Sequence, residues 1–381
     1  MTAMAAAALL TACGGTTSST SSSSSVAGLC SELESSASNC SALLATAQAQ
    51  QTSRVLIFEE AVKSLEQTTA AYCDAIGQAN ESTALSVAMV NLNSAATAWQ
   101  ALEPMQFGPI TESVRNEFYS WPISVGKEGQ IDAEIALVAN GGAFAPTPSK
   151  RGLTAMEYIL YNNPEQSARC DYAKRVAGAM VPEAEALSAA VADYQPAQST
   201  NQQAEVQSVF NALFYLDTET KSEKIQDDIL PEGQNDSFGS DNLEYPFANL
   251  NRAAVQANLE SVLSIFTGDS AVGFEDILIA SSQAELASSM RVSLQAAVNA
   301  VQESEFSNDW RTVLANANAT DRSSNVSACL NVPATTNSSH SDLEKLCSLP
   351  KKIQPFTTDL KGAMSIALNL SVPNSAASDG D

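Results

Sequence analysis

The stretch Arg151 to Tyr161, RGLTAMEYILY, places a glycine, a hydroxyl and a carboxylate at Gly152, Thr154 and Glu157. Wound as a helix, Leu153, Met156 and Leu160 form one apolar stripe, and Glu157 lies about 40° from Leu153 on the flank it shares with Thr154 and Tyr161. A carboxylate at the margin of a buried stripe, with a hydroxyl and a phenol beside it, has three chemical uses. It holds a hard cation, orients a water, or satisfies a buried helix contact through hydrogen bonds. For the first use, Glu117, Asp132 and Glu134 are the acids that would join Glu157, provided the fold brings them together. No catalytic residue is assigned. The sole histidine, His340, sits in the polar run NSSHSDLEK and reads as an exposed loop residue, and HExxH, GxSxG and the nucleotide-binding glycine patterns are missing from the sequence.

The elements that must position these groups read as helices. Val55, Phe58, Val62, Leu65 and Tyr72 recur at helical spacing, as do Leu85, Met89, Leu92, Ala96 and Trp99, then Val176 to Val191, Val206 to Phe214, Val255 to Phe266 and Leu286 to Val301. Period-two alternation is nearly lacking. The expectation is an all-α protein of two helical bundles packed side by side, since each helix must bury its stripe against another. Turn chemistry at Glu103-Pro104, Phe107-Gly108-Pro109, Asn140-Gly141-Gly142, Asn163-Pro164, Tyr194-Gln195-Pro196 and Thr267-Gly268-Asp269 separates the helices. Residues 231–239 and 316–341 read as long polar loops. The division expected is a leader and tether over 1–28, an N-terminal bundle over 29–195 that carries the Glu157 helix, and a C-terminal bundle over 196–381, with the junction near Pro196.

Composition narrows the partners. With 19 Lys+Arg against 43 Asp+Glu the chain carries a formal charge of −24, which repels nucleic acid and anionic lipid and excludes DNA or RNA as a ligand. The opening MTAMAAAALLTACGG is too short to cross a bilayer; its apolar run ending in Leu10-Thr11-Ala12-Cys13 has the form of a bacterial lipoprotein signal, with Cys13 as the lipidated residue. One departure is that no Lys or Arg precedes the apolar run. The following TTSSTSSSSS (16–25) reads as a flexible tether. Setting Cys13 aside leaves Cys30, Cys40, Cys73, Cys170, Cys329 and Cys347, an even set suited to three disulfides in an oxidising compartment. Proximity in sequence favours Cys30–Cys40 and Cys329–Cys347, which leaves Cys73–Cys170 to tie two distant helices.

Gly152, Thr154 and Glu157 also match the Gly-x-His-x-x-Glu pattern of the imelysin family, with threonine in place of its histidine. The resemblance extends, in order, to AWQALEPMQFGPI (98–110), YSWPIS (119–124), NLEYPFANLNRAAVQANLESVLSIFTG (242–268) and the terminal Asp379-Gly380-Asp381, and so spans most of residues 50–381. It implies an all-helical, two-bundle protein outside a bacterial membrane, with the motif helix near the junction of the bundles and Arg115 and Trp121 close to it, so that Arg115 would pair with Glu157 and lower its pKa. The family is described both as peptidases and as iron-regulated or iron-uptake proteins. Threonine is a poor, neutral ligand for zinc, so the substitution disfavours a peptidase. The function expected is that of an exported lipoprotein of the cell envelope, in the periplasm or at the outer membrane. It would act as a binding module in iron or metal acquisition and take a metal ion or small ligand, with iron or another hard cation at Glu157 and an envelope transport protein as partner. The alternatives are an extracytoplasmic peptidase and a structural envelope protein whose motif is a relic.

Overall fold

A computed structural model describes residues 29–30, 34–121, 125–162, 167–227, 229–231, 237–302 and 305–377. Among these residues no strand occurs. The helices are α1 (Glu34–Ala75), α2 (Glu81–Leu102), α3 (Glu112–Phe118), α4 (Val125–Ala139), α5 (Gly152–Tyr161), α6 (Ser167–Asp193) and α7 (Gln202–Leu213); then, after a π-helical segment (Leu216–Asp227), α8 (Asn251–Thr267), α9 (Phe274–Ala280), α10 (Ala284–Ala300), α11 (Trp310–Ala319), α12 (Arg322–Asn331) and α13 (Asp342–Asp359). The fold is all-α, as the periodicity implies.

The helices group as their stripes dictate. Leu44, Val55, Phe58, Val62 and Leu65 of α1 are all fully buried, because α1 is flanked along its length by α2 and α6. Phe58, Trp99 and Phe118 meet with ring centroids 5.0 to 5.3 Å apart, which fixes α3 across the α1–α2 seam. In the second group α10 packs on α13, α8 and α9, and Phe266 of α8 meets Phe356 of α13 edge-on at 5.5 Å. The two bundles join where α2 lies against α8. Past residue 195 a single turn, Pro196–Gln198, rests on α1, and α7 touches both α1 and α8.

Helix α8 ends as its sequence predicts: Gly268 adopts φ +70° and its N–H bonds the Ser264 carbonyl at 2.8 Å. A Cβ there would stand 2.5 Å from the Gly273 nitrogen, so only glycine allows the chain to double back.

One expectation of the fold requires correction. Residues 316–341 are not one polar loop: α11 runs to Ala319, and α12 forms within the stretch, started by the Asp321 side chain accepting from the Ser324 N–H. Its buried face is only Val326 and Cys329, too little apolar material to give a readable period. Residues 216–227, to which periodicity assigns no element, form a π-helical segment. Of the other expectations, Cys13, the Asn163-Pro164 turn, residues 232–236 of the first polar stretch and the terminal Asp379-Gly380-Asp381 lie outside the described residues.

All three expected cysteine pairs are disulfides, with Cα–Cα distances of 5.8 Å for Cys30–Cys40, 5.5 Å for Cys73–Cys170 and 5.2 Å for Cys329–Cys347. The Cys73–Cys170 bridge ties the end of α1 to the start of α6 across 97 residues of chain. Closing so long a loop restricts the unfolded chain most. Replacing both Cys73 and Cys170 by alanine is expected to lower stability by about 2–4 kcal/mol in urea unfolding, with a smaller loss for the pair Cys30 and Cys40.

Candidate functional site

Helix α5 starts against backbone. Gly152 has φ +82°, and a Cβ on it would lie 2.6 Å from the Phe118 carbonyl oxygen. The motif glycine therefore lets the first turn of α5 press on the end of α3. Residues Gly152 to Leu160 are all buried, so Glu157 is enclosed rather than set at the margin of a half-exposed helix. The Thr154 hydroxyl donates to the Ser120 carbonyl at 3.0 Å. Glu157 Oε1 accepts from the backbone N–H groups of Phe247, at 2.8 Å, and Ala248, at 2.7 Å.

Burial pushes the Glu157 carboxyl up to about 8; Glu244 adds to the rise, while the two backbone donors and Arg311 oppose it. At neutral pH this acid holds its proton. Its second oxygen, buried and without a hydrogen-bond partner, is the natural carrier of that proton.

A larger polar cluster stands beside it. Arg115 does not pair with Glu157: its Nε lies 2.6 Å from Glu103 and its Nη2 2.8 Å from Glu219. Burial alone would lower the Arg115 pKa, but the acids around it raise it above the usual value. Lys224, on the π-helical segment, places Nζ 3.2 Å from Glu103, 2.9 Å from Glu244, 2.7 Å from the Gln100 side-chain oxygen and 3.1 Å from that of Asn258. The Tyr119 hydroxyl donates to Glu244. Lys224 also faces the rings of Tyr119, at 5.5 Å, and Tyr215, at 5.3 Å. Burial raises the Glu244 pKa, with Lys224 opposing and Glu103 reinforcing.

The other nominated residues disperse. The Trp121 indole donates to the Asn242 carbonyl at 3.1 Å, and the Tyr161 hydroxyl donates to Asn93 at 2.8 Å. Asp132 accepts from Tyr158 and pairs with Arg169, Glu134 pairs with Lys150, and Glu117 pairs with Arg151. His340 lies in a turn against Asn337.

The family model described as Imelysin, a peptidase family by designation, matches residues 57–335. The chain belongs to the imelysin family. Its fold is similar to that of an imelysin-like protein from Psychrobacter arcticum 273-4, with a TM-score of 0.69 and 17% identity over 88% of this chain and 98% of that one. It is also similar to a protein described as an iron-regulated protein A precursor from Parabacteroides distasonis ATCC 8503, with a TM-score of 0.56 and 16% identity over 85% of this chain and 95% of that one. No curated protein matches its sequence.

Within this imelysin the motif does not fit a metal. Thr154 spends its hydroxyl on a carbonyl, Glu157 accepts from two backbone amides, and Glu117, Asp132 and Glu134 face cations of their own. Among the described residues no group of three His, Cys, Asp or Glu side chains is placed to hold a metal ion. What the imelysin motif does here is mechanical. It fastens α5 to the backbone at Ser120 and at 247–248.

Residues that sequence reasoning left without a role are Gln100, Glu103, Lys224, Glu244 and Asn258. Gln100, Glu103, Glu244 and Asn258 lie in stretches that carry the family resemblance, and the available signal was charge inside apolar context, as in Ala-Leu-Glu103-Pro-Met and Asn-Leu-Glu244-Tyr-Pro.

A carboxyl whose folded pKa exceeds its unfolded value binds more protons in the native state, so its contribution to stability is full below about pH 4.5 and is lost as pH rises through about 8. The loss for Glu157 is on the order of 5 kcal/mol. Urea unfolding from pH 5 to 9 is expected to show stability falling across that range, and falling less steeply in Glu157→Gln, which keeps an acceptor for both amides. The residual slope reports the other carboxyls that burial raises, Glu244, Glu128 and Asp359. Equal slopes in the two proteins would contradict a protonated Glu157. Gly152→Ala is expected to cost at least about 2 kcal/mol, because the obstructing atoms are backbone.

Proposed function

We propose that this imelysin is an exported binding protein of the cell envelope with a role in iron acquisition, carried at the membrane by a lipid on Cys13 and acting by binding rather than by peptide cleavage. The observation that carries this reading is the commitment of the motif groups: Thr154 and Glu157 are bound to backbone and sealed from solvent. A peptidase would need one of them free to hold a metal or activate water.

Three facts support the setting. The leader has the form of a lipoprotein signal, three disulfides suit an oxidising compartment, and no described helix is long and apolar enough to cross a membrane. The iron link is drawn from the name of the Parabacteroides protein, and from it follow an iron-bearing small ligand and an envelope transport protein as partners.

Purified protein incubated with a denatured protein is expected to give no chelator-sensitive cleavage, in the native sequence or in Glu157→Gln. Chelator-sensitive cleavage that Glu157→Gln abolishes would restore the peptidase reading. In thermal melts, ferric citrate is expected to raise the melting temperature more than citrate alone, calcium or zinc does, since a ligand selective for the native state must raise it. The same rise is expected in Glu157→Gln. A ferric arm no better than citrate alone would remove the iron role.

A further inference from the structure

The π-helical segment has a hollow on each side, of opposite character. On one side a cleft of about 470 Å³ is lined by the acids Glu219, Glu223 and Asp227. On the other a hollow of about 470 Å³ opens between the segment and helices α12 and α13, and its described lining contains two lysines and no acid. For a chain of net charge −24 this is a local inversion of sign: of its ten lysines, six fall at 221, 224, 345, 351, 352 and 361.

Lys351 is the group in this second hollow that calls for a ligand. Its ammonium donates to the carbonyls of Val332, at 2.7 Å, and Leu330, at 3.1 Å, at the end of α12, and pairs with no carboxylate among the described residues. Two carbonyls and a helix C-terminus hold the cation in place without cancelling its charge, and an ammonium has a third N–H to give. The exposed amides of Gln226 and Gln354 add neutral donors at the same mouth. The rest of the wall is apolar: Leu230, Pro350 and the Cys329–Cys347 bridge are buried, while Leu330 at the rim is 38% exposed. Because that disulfide locks α12 to α13, the hollow is formed before anything enters it.

We propose that this hollow is a binding site for a small carboxylate with an apolar body, its carboxylate on Lys351 and its body on Leu230, Leu330 and Pro350. One ammonium and two amides match a monoanion; a phosphate dianion would call for an arginine fork or a helix N-terminus, and the site has neither. The volume is within the range of small-molecule pockets, whose pattern is apolar walls with a few placed polar groups. The inference is independent of the function proposed above, since it uses neither the motif nor iron.

Titration calorimetry of the full chain with octanoate, octylamine and acetate tests it. Octanoate is expected to bind, octylamine to fail on charge and acetate to bind at least about tenfold more weakly for want of an apolar body. Lys351→Gln should remove octanoate binding. Because Lys351 also supports the end of α12, the second variant is Gln354→Glu, a change at an exposed position that sets a negative charge at the mouth and is expected to weaken octanoate about tenfold or more. Absence of octanoate binding, equal binding of octanoate and octylamine, or an affinity within about twofold of native in Gln354→Glu would overturn the proposal.

Discussion

Lys224 carries an ammonium group to a place that water does not reach, and three other stretches of chain supply the oxygens around it. Gln100 comes from α2 and Glu103 from its C-cap, Glu244 from the segment before α8, and Asn258 from α8 itself. Desolvating an ammonium costs several kcal/mol, and the cost is recovered only when every partner is in place. The hub is therefore all or nothing: it fixes the π-helical segment, α2 and α8 relative to one another with a specificity that apolar packing alone does not impose. The amide of Asn258 donates in turn to the Gln100 carbonyl at 2.7 Å, so the oxygens are themselves oriented by bonds between the two bundles.

The protonation of Glu157 follows first from its burial, and Glu244 of that hub adds to it. Glu103, Glu219 and Glu244 face Arg115 and Lys224, so the acids already outnumber the cations in the cluster. A further buried carboxylate next to Glu244 would add repulsion without adding a cation, and the neutral form is the one the surroundings admit. Threonine at 154 is consistent with such a neighbour, because a hydroxyl bonded to the Ser120 carbonyl brings no charge to be compensated. The motif thus reads as a neutral clasp on the wall of a charged interior, and the same exclusion of water that strengthens the Lys224 pairs is what raises the Glu157 pKa.

Much of this was legible in the sequence and some was not, for separable reasons. The long helices announced themselves because α1, α2, α8 and α10 each bury one stripe, and the cysteine pairs followed from their spacing. Glu157 was placed beside Thr154 on the correct helix, but its enclosure was underestimated, since α5 is covered on every face and periodicity assumes one wet side. Lys224 was missed because TETKSEKIQDD is polar all round and offers no stripe to mark the inward face; only Leu216 and Ile225 are buried apolar residues there. Arg115 was expected at Glu157 on the strength of resemblance, yet a guanidinium goes to the fullest set of carboxylates, and Glu103 with Glu219 offered two. Arg311, which sequence reasoning did not single out, is the cation whose field reaches Glu157.

Charge in this protein is sorted by depth. Charge at the surface is screened by counterions over about 8 Å at physiological ionic strength. The pairs around Lys224 lie inside, where salt does not reach them. Surface repulsion and interior attraction therefore respond differently to the medium: added salt relieves the first and leaves the second in place, so this fold gains stability as ionic strength rises while its interior geometry stays fixed. The two hollows beside the π-helical segment sit at the boundary between these regimes. Each has a wall residue that also belongs to an ion pair, Glu219 with Arg115, half-buried, on the acidic side and Lys221 with Asp217, buried, on the basic side. A ligand entering either hollow thus meets a side chain whose position is set from within, which makes the π-helical segment the element through which the surface and the Lys224 hub are mechanically joined.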